Sequence, residues 1–385
     1  MRVLVFFLLL AGFAYAEPPE LSPELQPALQ LMNNGQLLEA YSTLKNMPNG
    51  QPRGKEALFL LAMTKWKMMW LSNYNAADRK EVLDLLSKVE NLCSPILESD
   101  VDAQFYYAST IGVRAQVAAT EGEWWETAQL GKKMKNQAQL ILETDKDYYP
   151  AHYLLGSYNY FADALPGYLK FLRVLVFLPG GDRKEGSEQL VRAYEKGGIT
   201  EAEAGRTLAM IYTYFERRFD YGKQMCDNLL SRYPDSYDVS LYRAINLYYS
   251  EEWDAAAESF EELRRRLAAY SAKNGSAESI VPVYYPMDRE AQYWIARCRI
   301  QQKKWAEARE ILNALADPPV HQPYWLQRGV LLSLAQINYN EKLDDQAEVQ
   351  VEIVLKWQDV KESREKAKLL RKKKGEIKPF DIDFL

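Results

Sequence analysis

Phe219-Asp220-Tyr221-Gly222 and Trp253-Asp254-Ala255-Ala256 share one small pattern, and they start 34 residues apart. Each opens on an aromatic residue and places Gly or Ala three positions later. Related units stand at Leu37-Leu38-Glu39-Ala40, Trp125-Glu126-Thr127-Ala128 and Trp305-Ala306-Glu307-Ala308. A period of about 34 residues in a helical texture marks stacked helix hairpins, each burying a face against the next. Such arrays present extended binding surfaces.

Outward from these units, nearly everything after residue 22 reads as helix. Apolar positions recur at three and four, and strand-like alternation is absent. The expected fold class is all-α, a right-handed superhelix of stacked antiparallel hairpins. Eight hairpins are predicted, at 24–48, 55–98, 102–145, 149–197, 200–233, 236–272, 288–317 and 322–357, and a final helix near 358–374 caps them. Thr200-x-x-Glu203 and Asp182-x-x-Glu185 read as capping boxes or their Asp equivalent. Ser22-Pro23 places Pro at a first helical position. Pro150 and Pro234 separate one hairpin from the next, because Pro cannot continue a helix interior.

This register resembles the tetratricopeptide repeat family. In 236–272, Ala244 and Ala256 fill the family's two small positions and Phe260 its aromatic one. Ala28, Ala40, Leu44 and Pro52 repeat the pattern near the N-terminus, and Ala296, Ala308 and Leu312 near the C-terminus. In 200–233, Gly222 and Pro234 fit, while the first helix (Ala209, Tyr212) is shifted by a residue. The central run from Gly156 through Leu165-Pro166-Gly167 to Gly180-Gly181-Asp182-Arg183 is similar to the tetratricopeptide repeat protein 39 family. The resemblance implies a concave face lined by first helices. It points to Tyr160, Tyr212, Tyr242 and Tyr248 as partner-binding groove residues.

Residues 1–16 are expected to be a secretory signal peptide. A positive start at Arg2 precedes the apolar run Val3–Phe13 and the Ala14-Tyr15-Ala16 cleavage site. The run is too short to span a bilayer. The protein is therefore expected to be exported, and periplasmic in a Gram-negative cell. The helical repeat domain is placed at 17–374, as one unit without an internal linker, and 375–385 as an extended tail.

Charge and composition narrow the function. Net charge is −5, and −6 once Arg2 is removed, so nothing overall suggests nucleic acid. Sign reverses from Lys356 to Lys378, where ten basic residues meet four acidic ones. Lys372, Lys373 and Lys374 form a basic handle suited to a polar cap or to peripheral contact with an anionic membrane. The final Pro379-Phe380-Asp381-Ile382-Asp383-Phe384-Leu385 is apolar enough to dock in a groove, its own or a partner's. The Leu165–Leu178 insertion, with Phe171 and Phe177, is a further partner-binding candidate, or an extra helix packed on the array.

Aromatic residues make up 12% of the chain, and clusters such as Trp124-Trp125 and Tyr248-Tyr249 are expected mainly as packing between hairpins. Cys93, Cys226 and Cys298 lack any metal-like spacing and read as buried thiols, with one disulfide left open. His152 and His321 sit in no metal spacing, and the common hydrolase and phosphate-loop motifs are absent. No cofactor and no catalysis are expected. The reading is an exported scaffold that grips a protein or peptide in its concave groove. Two alternatives remain: a ligand-binding accessory component of an envelope transport system, with an apolar pocket beside 156–182, and a hydrolase with two carboxylates facing across a cleft.

Overall fold

The computed structural model describes residues 21–47, 54–71, 76–164, 180–274, 285–316 and 325–383. The expected signal peptide, Pro52, Phe171, Phe177 and His321 lie outside them. The described residues hold seventeen helices of eight or more residues, in sequential antiparallel pairs. Hairpin 1 is α1 (Gln26–Asn33) and α2 (Leu37–Lys45), hairpin 2 is α3 (Lys55–Leu71) and α4 (Ala76–Cys93), and hairpin 3 is α5 (Val101–Thr120) and α6 (Trp124–Thr144). Hairpin 4 is α7 (Tyr149–Ala164) and α8 (Arg183–Lys196), hairpin 5 is α9 (Glu201–Met210) and α10 (Phe219–Arg232), and hairpin 6 is α11 (Tyr237–Tyr249) and α12 (Trp253–Asn274). Hairpin 7 is α13 (Tyr285–Gln301) and α14 (Trp305–Ala316), and hairpin 8 is α15 (Leu326–Asn340) and α16 (Asp344–Lys356). The cap α17 (Ser363–Lys373) and a single turn, α18 (Pro379–Ile382), follow. None of the described helices is long and apolar enough to cross a membrane.

Small residues set the spacing. Ala28, Ala40, Ala244, Ala256, Ala296 and Ala308 are all buried, as are the large residues that follow them, Leu44, Phe260 and Leu312. Removing the side chain lets two helices approach, and the large residue then fills the gap to the next pair. Hairpin 4 takes this furthest. A Cβ on Gly186 would lie 2.5 Å from the Tyr160 backbone nitrogen, and one on Gly156 would lie 2.9 Å from the Gly186 carbonyl oxygen.

The same turn joins the two helices in most hairpins. Gly35, Gly122, Glu251, Lys303 and Lys342 all have left-handed backbone, each a residue or two before its second helix. In each case the next N–H bonds a carbonyl five residues back, as from Glu252 to Leu247 and from Lys304 to Arg299. This left-handed cap satisfies carbonyls that the helix end would leave orphaned. Hairpin 5 deviates. Residues Ile211–Phe215 form a π turn, with the Glu216 N–H bonding Ile211 O at 2.9 Å. The extra residue is absorbed there, which accounts for the one-residue shift in the sequence of its first helix.

Two local expectations change. Asp182 caps α8 by accepting from Glu185 N–H at 2.9 Å, as expected. Thr200 does not cap α9: it ends a 3-10 turn, its hydroxyl donates to Gly197 O, and Glu203 turns to ion pairs instead. Pro150 sits inside the first turn of α7, where its missing N–H costs nothing.

The stack meets itself. Gly35 of hairpin 1 is so close to Tyr237 of hairpin 6 that a Cβ would reach the ring at 2.9 Å. Arg206 of hairpin 5 donates to the backbone and side chain of Asn33. Tyr270 of hairpin 6 donates to Glu39 at 2.6 Å and accepts from Leu38 N–H, while Lys273 pairs with Glu39 at 3.3 Å. Lys67 of hairpin 2 pairs with Glu203 of hairpin 5 at 2.7 Å. Hairpins 1 and 2 therefore rest on hairpins 5 and 6.

Candidate partner-binding interior

Arg297 on α13 is the most deeply buried charge among the described residues of the array, between hairpins 6, 7 and 8. Its side chain is fully buried, and its Nη1 donates to Gln336 Oε1 of α15 at 2.7 Å. Tyr248 and Tyr249 from α11 and Tyr293 from α13 stand around it, all buried. Tyr248 and Tyr249 pack edge to face at 4.9 Å, and Trp294 lies 5.3 Å from Tyr248. A guanidinium in an aromatic wall is a strong, planar receptor for a carboxylate.

The carboxylate present is the chain's own. After α17 the backbone turns at Gly375, with φ +89°, makes the single turn α18, and carries Asp383 inward. Asp383 Oδ1 lies 2.6 Å from Arg297 Nε, with the two side chains 1% and 0% exposed. Its Oδ2 accepts from the Tyr249 hydroxyl at 3.1 Å, a residue 134 positions earlier. Burial pushes the Asp383 carboxyl above its ordinary range, against the pull of Arg297 and the tyrosine hydroxyls. Arg297 Nη2 is buried and has no hydrogen-bond partner among the described residues. Residues 375–385 read as an extended tail in sequence. In the structure they include a helical turn and return to the array, because a buried charge at Arg297 needs a counter-charge.

The predicted groove tyrosines divide. Tyr242 lies partly exposed in the interior, edge to face with Tyr214 at 5.7 Å. Tyr248 is fully buried beside Arg297 and so offers no open surface. Tyr160 is fully buried in hairpin 4, its hydroxyl donating to Glu216 at 2.6 Å with Arg183 over its ring. Tyr212 is half-buried on hairpin 5 against Tyr221 and Arg218. Each of the four packs on a different neighbour. The docking of the 379–385 segment on the chain itself was among the sequence readings, and Asp383 carries it, but its seat at Arg297 was missed, since Arg297 belongs to no local pattern.

The basic handle is also rearranged. Lys374 pairs with Asp344 at 2.7 Å and lies over the Tyr339 ring, and Lys373 pairs with Asp381 at 3.6 Å. Lys372 faces solvent. Two of the three lysines thus fasten the cap to hairpin 8 and to the tail.

Carboxylates meet cations elsewhere in the interior. Glu203 and Asp238 share Arg206, at 3.1 Å each, and Glu203 also holds Lys67. Burial raises both carboxyls, and the ion pairs more than offset it, so both stay below the ordinary range. Glu290 is raised by burial and sits near Lys361 and the Trp294 indole. At the outer surface, Trp124 and Trp125 are 53% and 62% exposed, so this pair is not the packing cluster that the sequence suggested. An open cleft of about 450 Å³ beside hairpin 4 is lined by His152, Tyr149, Leu142, Lys146, Arg192, Lys196 and two acids. Most of 156–182, where an apolar pocket was the alternative, lies outside the described residues. His152 is buried, and burial lowers the imidazole's affinity for a proton against the pull of the Lys146 backbone. Cys93, Cys226 and Cys298 are buried and free, so no disulfide joins them.

Residues 290–317, which are hairpin 7 from within α13 to just past α14, match the tetratricopeptide repeat family. No curated protein matches the chain in sequence. Solved helical-repeat structures are similar at low identity. The human IFIT1 dimer with m7Gppp-AAAA is 16% identical over 90% of this chain and 82% of its own, with a TM-score of 0.36. An IFIT1 monomeric mutant with Gppp-AAAA is 15% identical over 92% of this chain and 82% of its own, at 0.40. The TPR domain of P58(IPK) is 16% identical over 92% of this chain and 99% of its own, at 0.26.

Proposed function

We propose that this chain is an exported helical-repeat scaffold that holds a protein or peptide segment against its interior face, without catalysis of its own. One observation carries the reading: the interior already holds a peptide segment, with Asp383 seated on Arg297 and Tyr249. A face that desolvates a carboxylate and meets it with a guanidinium and a tyrosine hydroxyl suits recognition, and its packed hairpins hold it ready with little reorganisation. The carboxylate pair Glu203 and Asp238 is tied up by Lys67 and Arg206, which suits structure better than acid–base work. Export rests on the Arg2 to Ala16 signal, and the family resemblance of the central segment adds support for the fold alone.

The test is capture from the cell envelope with the full mature chain and with an Arg297→Met variant of unchanged helicity. A partner held by the first and lost by the second supports the interior. Equal retention by both moves the contact to another face, such as Trp124 and Trp125. N-terminal sequencing of the exported protein checks the leader: a start at Glu17 is expected. The cleft at His152 favours a second reading, a small anionic ligand, which native mass spectrometry of the purified protein would reveal.

A further inference from the structure

We propose that the Arg297 pocket is a receptor for a partner segment bearing an aspartate or glutamate between apolar residues, and that the chain's own tail occupies it in cis until such a segment displaces it. This rests on the scaffold reading above and names its ligand class.

The pocket belongs to the array and not to the tail. Arg297, Tyr293, Tyr248, Tyr249, Ser333 and Gln336 come from hairpins 6, 7 and 8, and all are buried. The occupant is replaceable in kind, because what its described residues contribute to the guanidinium is one carboxylate. Among the described residues it also fills the site incompletely. Oδ1 of Asp383 lies against Nε, and Oδ2 is turned to Tyr249, so Nη2 has no described hydrogen-bond partner. A carboxylate approaching side-on would take Nε and Nη2 together, the two-pronged geometry that guanidinium groups favour. An unmet buried donor costs free energy, and a better-fitting segment recovers it.

The tail is a short segment tethered to the array at one end. It leaves α17 through Gly375, whose left-handed backbone suits glycine, and its only helix is the four-residue turn Pro379–Ile382. A tethered segment competes at an effective concentration of roughly millimolar, so even a weak intrinsic fit keeps the pocket filled in cis. The chemistry of the occupant, Pro379-Phe380-Asp381-Ile382-Asp383, supplies the template: an acid flanked by apolar side chains.

The experiment is fluorescence anisotropy with a labelled synthetic peptide of residues 376–385, titrated with three full-length forms. These are the native protein, Asp383→Asn, which weakens the cis contact, and Gly375→Val, which strains the hinge and changes no pocket residue. Circular dichroism confirms helicity, and hydrogen exchange over 376–383 confirms release. The expected result is that both variants bind the peptide about tenfold tighter than the native protein. A peptide with Asn in place of Asp at the position of residue 383 loses about tenfold in both, since a neutral amide cannot pair the guanidinium. Released tails with no gain in peptide binding overturn the exchange. Equal binding by all three forms also overturns it, yet leaves the scaffold reading standing at another face. No binding by any form, with release shown, overturns both.

Discussion

Tyr270 and Glu39 are 231 residues apart in sequence and 2.6 Å apart in space, the tyrosine hydroxyl donating to the carboxylate. This bond belongs to a seam where hairpin 1 lands on hairpin 6. In an open repeat array each unit touches only its neighbours, and stability is close to a sum of local terms. Here a non-local contact couples the N-terminal hairpin to the middle of the chain.

The seam predicts a measurable coupling. Tyr270→Phe and Glu39→Gln should each destabilise the protein, and their double-mutant cycle in urea unfolding should show an interaction of about 1 kcal/mol. Amide exchange should rise in α1 and α2 in either variant, with hairpins 7 and 8 unchanged. Strict additivity of the two substitutions would contradict a direct bond.

Acid should open the same seam. Burial raises the Glu39 carboxyl, but Tyr270, its own backbone N–H and Lys273 together hold it below its ordinary value near 4.5. Glu203 and Asp238, which bind hairpins 2, 5 and 6 through Lys67 and Arg206, are lowered as well. A carboxylate lowered in the folded state stabilises it above the unfolded value, and that contribution is lost as pH falls through the folded one. Contact between hairpins 1 and 6, followed by energy transfer between labels on α2 and α12, should be steady at neutral pH and weaken below about pH 4.5. Loosening as pH rises from 5 to 8 would reverse the sign.

The buried pair gives a sharper contrast. Asp383→Ala leaves Arg297 charged and unpaired, which should cost about 3–5 kcal/mol in unfolding free energy. Arg297→Met combined with Asp383→Leu removes both charges and should restore most of that loss. If the single and double variants were equally unstable, the pair would matter for its shape rather than its charge.

Hairpin turns offer gains. Glu251 and Lys303 hold left-handed backbone with side chains that disfavour it. Glu251→Gly and Lys303→Gly should each stabilise by roughly 0.5–1 kcal/mol, and Gly122→Ala should destabilise by a similar amount. Thermal unfolding of the three variants checks the set.

Thiol chemistry tests the core. Burial pushes the Cys93 thiol up to about 11, and Cys226 and Cys298 are buried and raised further. At pH 8 the native protein should react slowly with a thiol reagent, and the denatured protein should reveal three thiols.

How much of this was written in the chain depends on distance. The hairpin at 236–272 is found at Tyr237–Asn274, and the shifted register of 200–233 is the π turn at Ile211–Phe215. These features are local: a ring, a small residue and a helical period lie within a few turns of each other. Thr200 failed as a cap because the preceding Gly197 and Gly198 allow a 3-10 turn to take its hydroxyl. Tyr160 and Tyr248 looked like groove residues from helix membership alone, but membership does not give the facing. Glu216 and Arg297, on other hairpins, decide where those rings lie. Arg297 with Asp383, and Tyr270 with Glu39, arise from how the hairpins accumulate rotation, which no short window of sequence encodes.

The landing of Gly35 on Tyr237 also limits how this chain can change length. Repeat arrays grow by duplication of a unit, and each added unit advances the phase of everything beyond it. Between hairpins 1 and 6 that phase is fixed, since one unit more or less would carry Gly35 past its ring and strand Glu39 away from Tyr270. Duplication between hairpins 1 and 6 would break this landing, and variants of this architecture should keep hairpin number constant before residue 274.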